Sequence, residues 1–466
     1  MRKVFLLFMV LVSVCCLSQN KQILYNFTAV PQSLMTNPGA DVSYKFYFGV
    51  PLLSGISVNA GSTSFSAYDL FADNGVNYNT KLRDVVHRSS RNDKLAFNEQ
   101  IELFSGGFKL GDWLENKGYV SFGMYQEFDF MMFIPKDIAI LALEGNRDYL
   151  GKSFNLGDLS LRTEMLSVLH VGFHKNVTEN LILGGRAKIY SSAFNASSTK
   201  NSGYVYTIPA TNTVYEQVIY SNLQVNTSGI SEYIAEGYEG DAAGDIRKKA
   251  LFGGDLGLGF DLGLTYYPKK NIQFTASILD VGFIKHSKDV ETFTYKGYYK
   301  YEGINPNFNS TNDPANVYQQ FNDAISLDTI YNAYKTWRPI KINSSYQYSF
   351  NDSRGGTDCN CSVSESEYRN SVGAQLFVMS TPRAPMMALT GYYRRNILDK
   401  LQMKATYTVD SYSYKNIGLG MSSKLGAFNV YLMADNLLEY KDLAKANSLS
   451  FQFGFNFIFK DSDSPD

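Results

Sequence analysis

The stretch Leu449-Ser450-Phe451-Gln452-Phe453-Gly454-Phe455-Asn456-Phe457-Ile458-Phe459 decides the fold. In an extended chain successive side chains point to opposite faces. Leu449, Phe451, Phe453, Phe455, Phe457 and Phe459 therefore share one face, and Ser450, Gln452, Gly454 and Asn456 the other. A row of phenylalanines is unusual on a strand facing water; hydrocarbon is its natural solvent.

The pattern recurs along the chain. Leu256, Leu258, Phe260, Leu262 and Leu264 oppose Asp255, Gly257, Gly259, Asp261 and Gly263. Leu401, Met403, Ala405, Tyr407 and Val409 oppose Gln402, Lys404, Thr406 and Thr408. Similar alternation runs through 340–350, 181–190 and 428–435. These segments are about ten residues or longer, the length that crosses a bilayer at a tilt, whereas strands of soluble sandwiches are nearer five or six. An open sheet edge in lipid would leave backbone groups unpaired. The sequence thus predicts an all-β fold, a closed antiparallel transmembrane β-barrel whose polar faces line the interior.

Fifteen strands are read near 42–50, 54–66, 98–110, 118–130, 159–173, 181–194, 251–267, 271–285, 338–350, 369–380, 385–395, 401–409, 414–424, 426–435 and 448–459. Bacterial barrels have an even number, so one reading must fail. The expectation is about 14 strands, with 16 as the alternative; either 42–50 lies outside the wall or a strand is misread elsewhere. Short turns such as 175–180, 268–270 and 396–400 fall at the periplasmic end. Long connections near 67–97, 131–158, 195–250 and 286–337 become extracellular loops. Those loops carry short helices, at Ile138–Leu143 and within 316–334, and a hairpin of 204–208 with 214–223. The loop 351–368, with Cys359 and Cys361, is longer than a periplasmic turn should be.

The N-terminus supplies the address. Arg2 and Lys3 precede the apolar run Val4–Val12, and Cys16-Leu17-Ser18 forms a small-x-small cleavage site. The chain divides into a signal peptide at 1–18, a periplasmic or hatch segment at 19–41, the outer-membrane barrel at 42–460 and a polar tail at 461–466. The 34 Tyr and 32 Phe against 2 Trp and 12 Pro favour strands and turns. Formal charge is −1, and −3 without Arg2 and Lys3, so nothing favours nucleic acid as a partner.

Catalytic and metal chemistry find little support. His170 and His174 lie on a strand, where four residues span about 13 Å and cannot chelate one ion. Glycines 257, 259 and 263 never complete a nucleotide-binding loop, because Leu262 takes the last position; glycine relieving crowding inside a barrel explains them better. No signature of a hydrolase or a metalloprotease is present, and neither an enzyme, a metal nor a cofactor is expected. The charges on lumen faces are Arg162, Glu164, Arg186, Lys188, Asp255, Asp261, Lys341 and Lys404, which either fill the interior as ion pairs or line a solute path. Leu279-Asp280-Val281-Gly282 breaks the alternation and is the candidate bulge.

Leu34-Met35-Thr36-Asn37-Pro38-Gly39-Ala40, then Phe48-Gly49-Val50-Pro51-Leu52-Leu53, then Ser64-Phe65-Ser66-Ala67-Tyr68-Asp69-Leu70-Phe71 resemble the start of a Bacteroidota outer-membrane barrel family of unknown function, DUF5723. They are broadly similar to the PorP/SprF group associated with type IX secretion and gliding, and to FadL-like barrels. The PorP/SprF group usually has Asn-Pro-Ala where this chain has Asn37-Pro38-Gly39. The resemblance implies an outer-membrane location and a barrel in contact with lipid. Two roles then follow as expectations. One is FadL-like passage of small or hydrophobic solutes, which predicts a kink in the wall and an apolar pocket inside. The other is a non-catalytic scaffold bound to secretion, gliding or surface-assembly proteins.

Overall fold

Strands that bury every second side chain must close on themselves or expose an edge, and these close. The computed structural model describes residues 21–111, 117–210, 214–234, 246, 249–302, 314–352, 368–398 and 400–459. Fourteen antiparallel wall strands form the barrel. They are β1 (Phe46–Gly49 with Ile56–Ser62), β2 (Lys94–Leu110), β3 (Gly118–Phe133), β4 (Ser160–Thr178) and β5 (Leu181–Ser198). Then come β6 (Asp255–Lys269), β7 (Ile272–His286), β8 (Lys341–Asp352, preceded by Tyr334–Trp337), β9 (Tyr368–Met379) and β10 (Met386–Leu398). The circuit finishes with β11 (Leu401–Asp410), β12 (Asn416–Leu425), β13 (Phe428–Asp435) and β14 (Ser448–Phe459). Each pairs with the next, and β1 pairs with both β2 and β14 to shut the ring.

The fifteen-strand reading is corrected at its start. Phe46 faces Phe459 and Gly61 faces Ser448, so segments 46–49 and 56–62 run the same way and are two halves of one wall strand. Between them Val50–Gly55 loops out without reversing the chain. Leu52 takes a left-handed φ of 64°. Its N–H bonds to Leu103 O at 3.1 Å, while Phe455 N–H bonds to Leu53 O at 2.9 Å, so both neighbours stay attached across the excursion.

The exterior is apolar. Leu256, Leu258, Phe260 and Leu262 are 56, 60, 45 and 51% exposed, while Asp255 and Asp261 on the opposite face are buried. On β14 the phenylalanine rings adjoin along the strand, Phe451 tilted against Phe453 at 5.6 Å and Phe453 edge-on to Phe455 at 6.3 Å, and Phe457 and Phe459 are exposed. Leu449 departs from this row and is buried.

The candidate bulge lies where the alternation breaks. Leu279 and Asp280 together oppose Asp261, both point inward, and Asp280 has φ 62°. Among the connections, a helix spans Lys136–Glu144, and Ser202–Pro209 pairs with Tyr215–Ser228 as a hairpin. The connection after β7 holds more than a helix. Val290–Tyr301 pairs with Tyr215–Ser228 and with Ile325–Ile330, extending the wall beyond β5, and a helix spans Pro314–Ala324. Further helices, Ala67–Phe71 and Tyr78–Arg88, occupy the connection after β1. The proposed signal 1–18, the pair Cys359 and Cys361 and the tail 461–466 lie outside the described residues.

Candidate functional site

Residues 21–44 run through the barrel interior and join no strand ladder among the described residues. Their apolar side chains settle against inward residues of the wall. Ile23, Leu24, Phe27 and Val30 pack on Tyr431 and Met433, and Leu34, Ala40 and Tyr44 on Tyr47, Tyr119 and Ile458. Polar wall side chains hold the segment's backbone and amides. Asn26 Nδ2 donates to Ser345 Oγ at 2.5 Å, Ser277 Oγ to Thr36 O at 2.7 Å, and Gln32 Nε2 to both Glu102 Oε2 and Asn456 Oδ1 at 2.9 Å. Lys404 Nζ donates to Tyr25 O at 2.6 Å and sits 4.2 Å from the centre of the Tyr392 ring.

The Asn37-Pro38-Gly39 turn explains two wall glycines. Asn37 Oδ1 accepts from Gly39 N–H at 2.9 Å, Asn37 Nδ2 donates to Leu264 O at 3.2 Å, and Thr265 Oγ1 donates to Gly39 O at 2.8 Å. Backbone therefore lies directly on backbone. A Cβ at Gly263 would stand 2.0 Å from Asn37 Oδ1, and one at Gly184 2.2 Å from Pro38 O. Only glycine admits that approach.

Beside this turn the wall carries a continuous chain of ion pairs. Arg162 pairs with Glu164 at 3.0 Å, and Arg338 joins Glu164 at 2.7 Å to Glu127 at 3.0 Å and Asp129 at 3.1 Å. Lys341 links Glu127 at 3.6 Å to Asp280 at 2.9 Å. Lys188 then links Asp280 at 2.6 Å to Asp261 at 2.8 Å, and Asp261 meets Arg186 at 3.2 Å. Arg186 reaches the interior segment, donating to Leu34 O and, at 3.4 Å, to Met35 O. The bulge feeds the same chain: Asp280 N–H donates to Asp261 Oδ1 at 2.7 Å.

Six of the eight lumen charges read from the sequence, Arg162, Glu164, Arg186, Lys188, Asp261 and Lys341, thus meet in one network. The other two stand apart. Asp255 sits at the loop end, accepting from Ser228 Oγ at 2.6 Å, Ser287 N–H at 2.9 Å and Lys288 N–H at 3.0 Å. Lys404, like Arg186, donates to the interior segment, but it meets no member of the ion-pair chain in a salt bridge among the described residues. Sequence reasoning passed over Glu127, Asp129, Asp280 and Arg338. Glu127 and Asp129 share the parity of Tyr125 on β3, a signal that was available. Arg338 was not findable this way, because it lies where the strand pairing is interrupted between Trp337 and Lys341.

A polar cavity of about 40 Å³, room for a few waters, opens where the network meets the interior segment. Lys21, Gln100, Glu127, Lys188, Asp280 and Lys341 border it, with Tyr125, Leu279 and Phe377. Lys21 Nζ donates to Gln100 Oε1. The apolar pocket expected of a hydrophobic-solute passage is not what this cavity offers. The two histidines of β4 are buried beside tyrosines, His170 5.9 Å from Tyr125 and His174 stacked 5.2 Å from Tyr119, rather than together.

Fold and interior define the class: an antiparallel barrel of fourteen strands filled by its own N-terminal segment. The chain belongs to DUF5723, a family of unknown function, whose model matches residues 38–435. No curated protein matches it. Among solved structures it is similar to a Pseudomonas aeruginosa FadL homologue, with 10% identity over 94% of this chain and 95% of that one and a TM-score of 0.43. It is also similar to the Ralstonia pickettii toluene transporter TbuX, with 10% identity over 92% and 94% and a TM-score of 0.42. The Pseudomonas putida toluene transporter TodX gives 9% identity over 92% and 93% and a TM-score of 0.38.

Proposed function

We propose that this protein is an outer-membrane barrel that passes small solutes when its N-terminal segment moves aside. The observation that carries the reading is how residues 21–44 fill the lumen. They are held by side-chain hydrogen bonds and side-chain packing, with no backbone ladder to the wall among the described residues. A strand of the wall cannot leave without opening the ring, but a segment held this way can be displaced while the ring stays shut. The lumen of a fourteen-stranded wall approaches the width at which barrels enclose channels. The exposed apolar band supports the location: such a surface is stable in lipid and aggregates in water.

The test is a reversible lock. Asn26→Cys with Ser345→Cys, in a chain carrying Cys359→Ser and Cys361→Ser, places two thiols where a hydrogen bond now lies. In proteoliposomes the oxidised protein should block solute entry and reduction should restore it. Deleting residues 21–41 should leave a folded barrel with a steady conductance in planar bilayers. A deletion protein that folds and never conducts defeats the reading.

A further inference from the structure

We infer that the solutes taken by this lumen are small and polar and carry a cationic amine; the inference rests on the passage reading above and names its substrate class. The interior segment itself supplies the pattern. Lys21 extends an ammonium group into the cavity bordered by Glu127, Asp280, Lys188 and Lys341, and bonds to Gln100 Oε1. It is a tethered amine seated among wall groups. When the segment moves aside, this ammonium goes with it, and so do the backbone groups that Arg186 and Lys404 hold.

The wall that remains cannot welcome hydrocarbon. Asp280, Glu127, Lys188 and Lys341 face the cavity, and Asn98, Gln100 and Asn343 add amides to its lining. An apolar solute pressed into this constriction would strip water from charges and amides without returning a hydrogen bond. An amine instead replaces Lys21 in kind. It restores a positive charge beside Glu127 and a donor to Gln100, while Lys188 and Lys341 stand ready for a carboxylate on the same molecule. Amino acids and small polyamines have this chemistry; toluene and neutral sugars do not.

The experiment compares uptake of labelled lysine, arabinose, glutarate and toluene into proteoliposomes holding the full mature chain. Lysine should enter at least about fivefold faster than arabinose or glutarate, an effect within the range of local field focusing. Glu127→Gln and Asp280→Asn should bring lysine down toward arabinose. Where either variant fails to give a folded, heat-modifiable band, Lys21→Gln carries the test, since its site lies on the removable segment. Freed of the tethered competitor, that protein should take lysine faster still and arabinose about as before. Equal entry of lysine, arabinose and glutarate overturns the inference and leaves the passage standing. Entry of toluene alone does the same. No entry of any solute, even with residues 21–41 deleted from a folded barrel, defeats both.

Discussion

Arg338 holds three carboxylates at once, Glu164, Glu127 and Asp129, from a nearly fully buried position. Removing one partner of such a cluster leaves charge without compensation, which costs far more than the intact cluster contributes. Arg338→Ala should therefore lower stability by about 3–5 kcal/mol, read from urea titration of the protein refolded in lipid vesicles. Arg338→Lys should recover only part, because an ammonium cannot present the planar fork that spans three acids. A loss under about 1 kcal/mol for the alanine variant would mean that the acids are watered from elsewhere. A second residue acts by shape. Gly263→Val would push a side chain into Asn37, 2.0 Å from the nearest Cβ position. The wall should still close, while residues 21–44 become open to protease; a protected segment in the variant would contradict the docking described above.

At the scale of elements, β7 depends on one extra residue. Up to Leu279 the inward positions are odd-numbered (Gln273, Thr275, Ser277), and beyond it they are even-numbered (Asp280, Ile284, His286). The bulge is the device that changes parity: the register with β6 shifts by one residue across it, while the register with the neighbour on the other side is the same before and after. Deleting Asp280 leaves Leu279 inward and Val281 outward, so alternation survives. We expect the deletion protein to fold as a closed, heat-modifiable barrel, and to lose stability through Lys188 and Lys341, which would both lack their shared acid. Failure of the ring to close would show that the bulge shapes the wall itself. The excursion at Val50–Gly55 works differently: it inserts residues without changing which way the strand runs, so the count of strands is unaffected.

At the scale of the whole molecule, the exposed apolar exterior suits hydrocarbon. Leu258 on β6 and Leu389 on β10 are 60% and 58% exposed. A lysine at either position should cost ~2–4 kcal/mol if the side chain lies near the bilayer midplane. The same substitution at an exposed loop position such as Val76, 46% exposed, should cost little. Equilibrium refolding into vesicles measures all three. Equal, small effects would place the Leu258 surface in water and remove the basis for a membrane barrel.

The sequence by itself determined the wall. Period-two alternation is a local property, so strands from Lys94 to Phe459 could be placed within a few residues, as could the bulge at Leu279–Asp280. Parity also singled out eight charges as inward-facing, but not Glu127, Asp129, Asp280 or Arg338. Two things waited for the tertiary structure. One was the identity of 42–50 and 54–66 as a single strand, because whether a Pro-Leu turn reverses the chain depends on the neighbours that bond across it. The other was the site. Ion pairs join Arg338 to Glu127, Glu164 and Asp129, and a hydrogen bond joins the Lys21 amine to Gln100, between segments far apart in the chain. Such distances are fixed only when the ring closes, and no local pattern of residues records them.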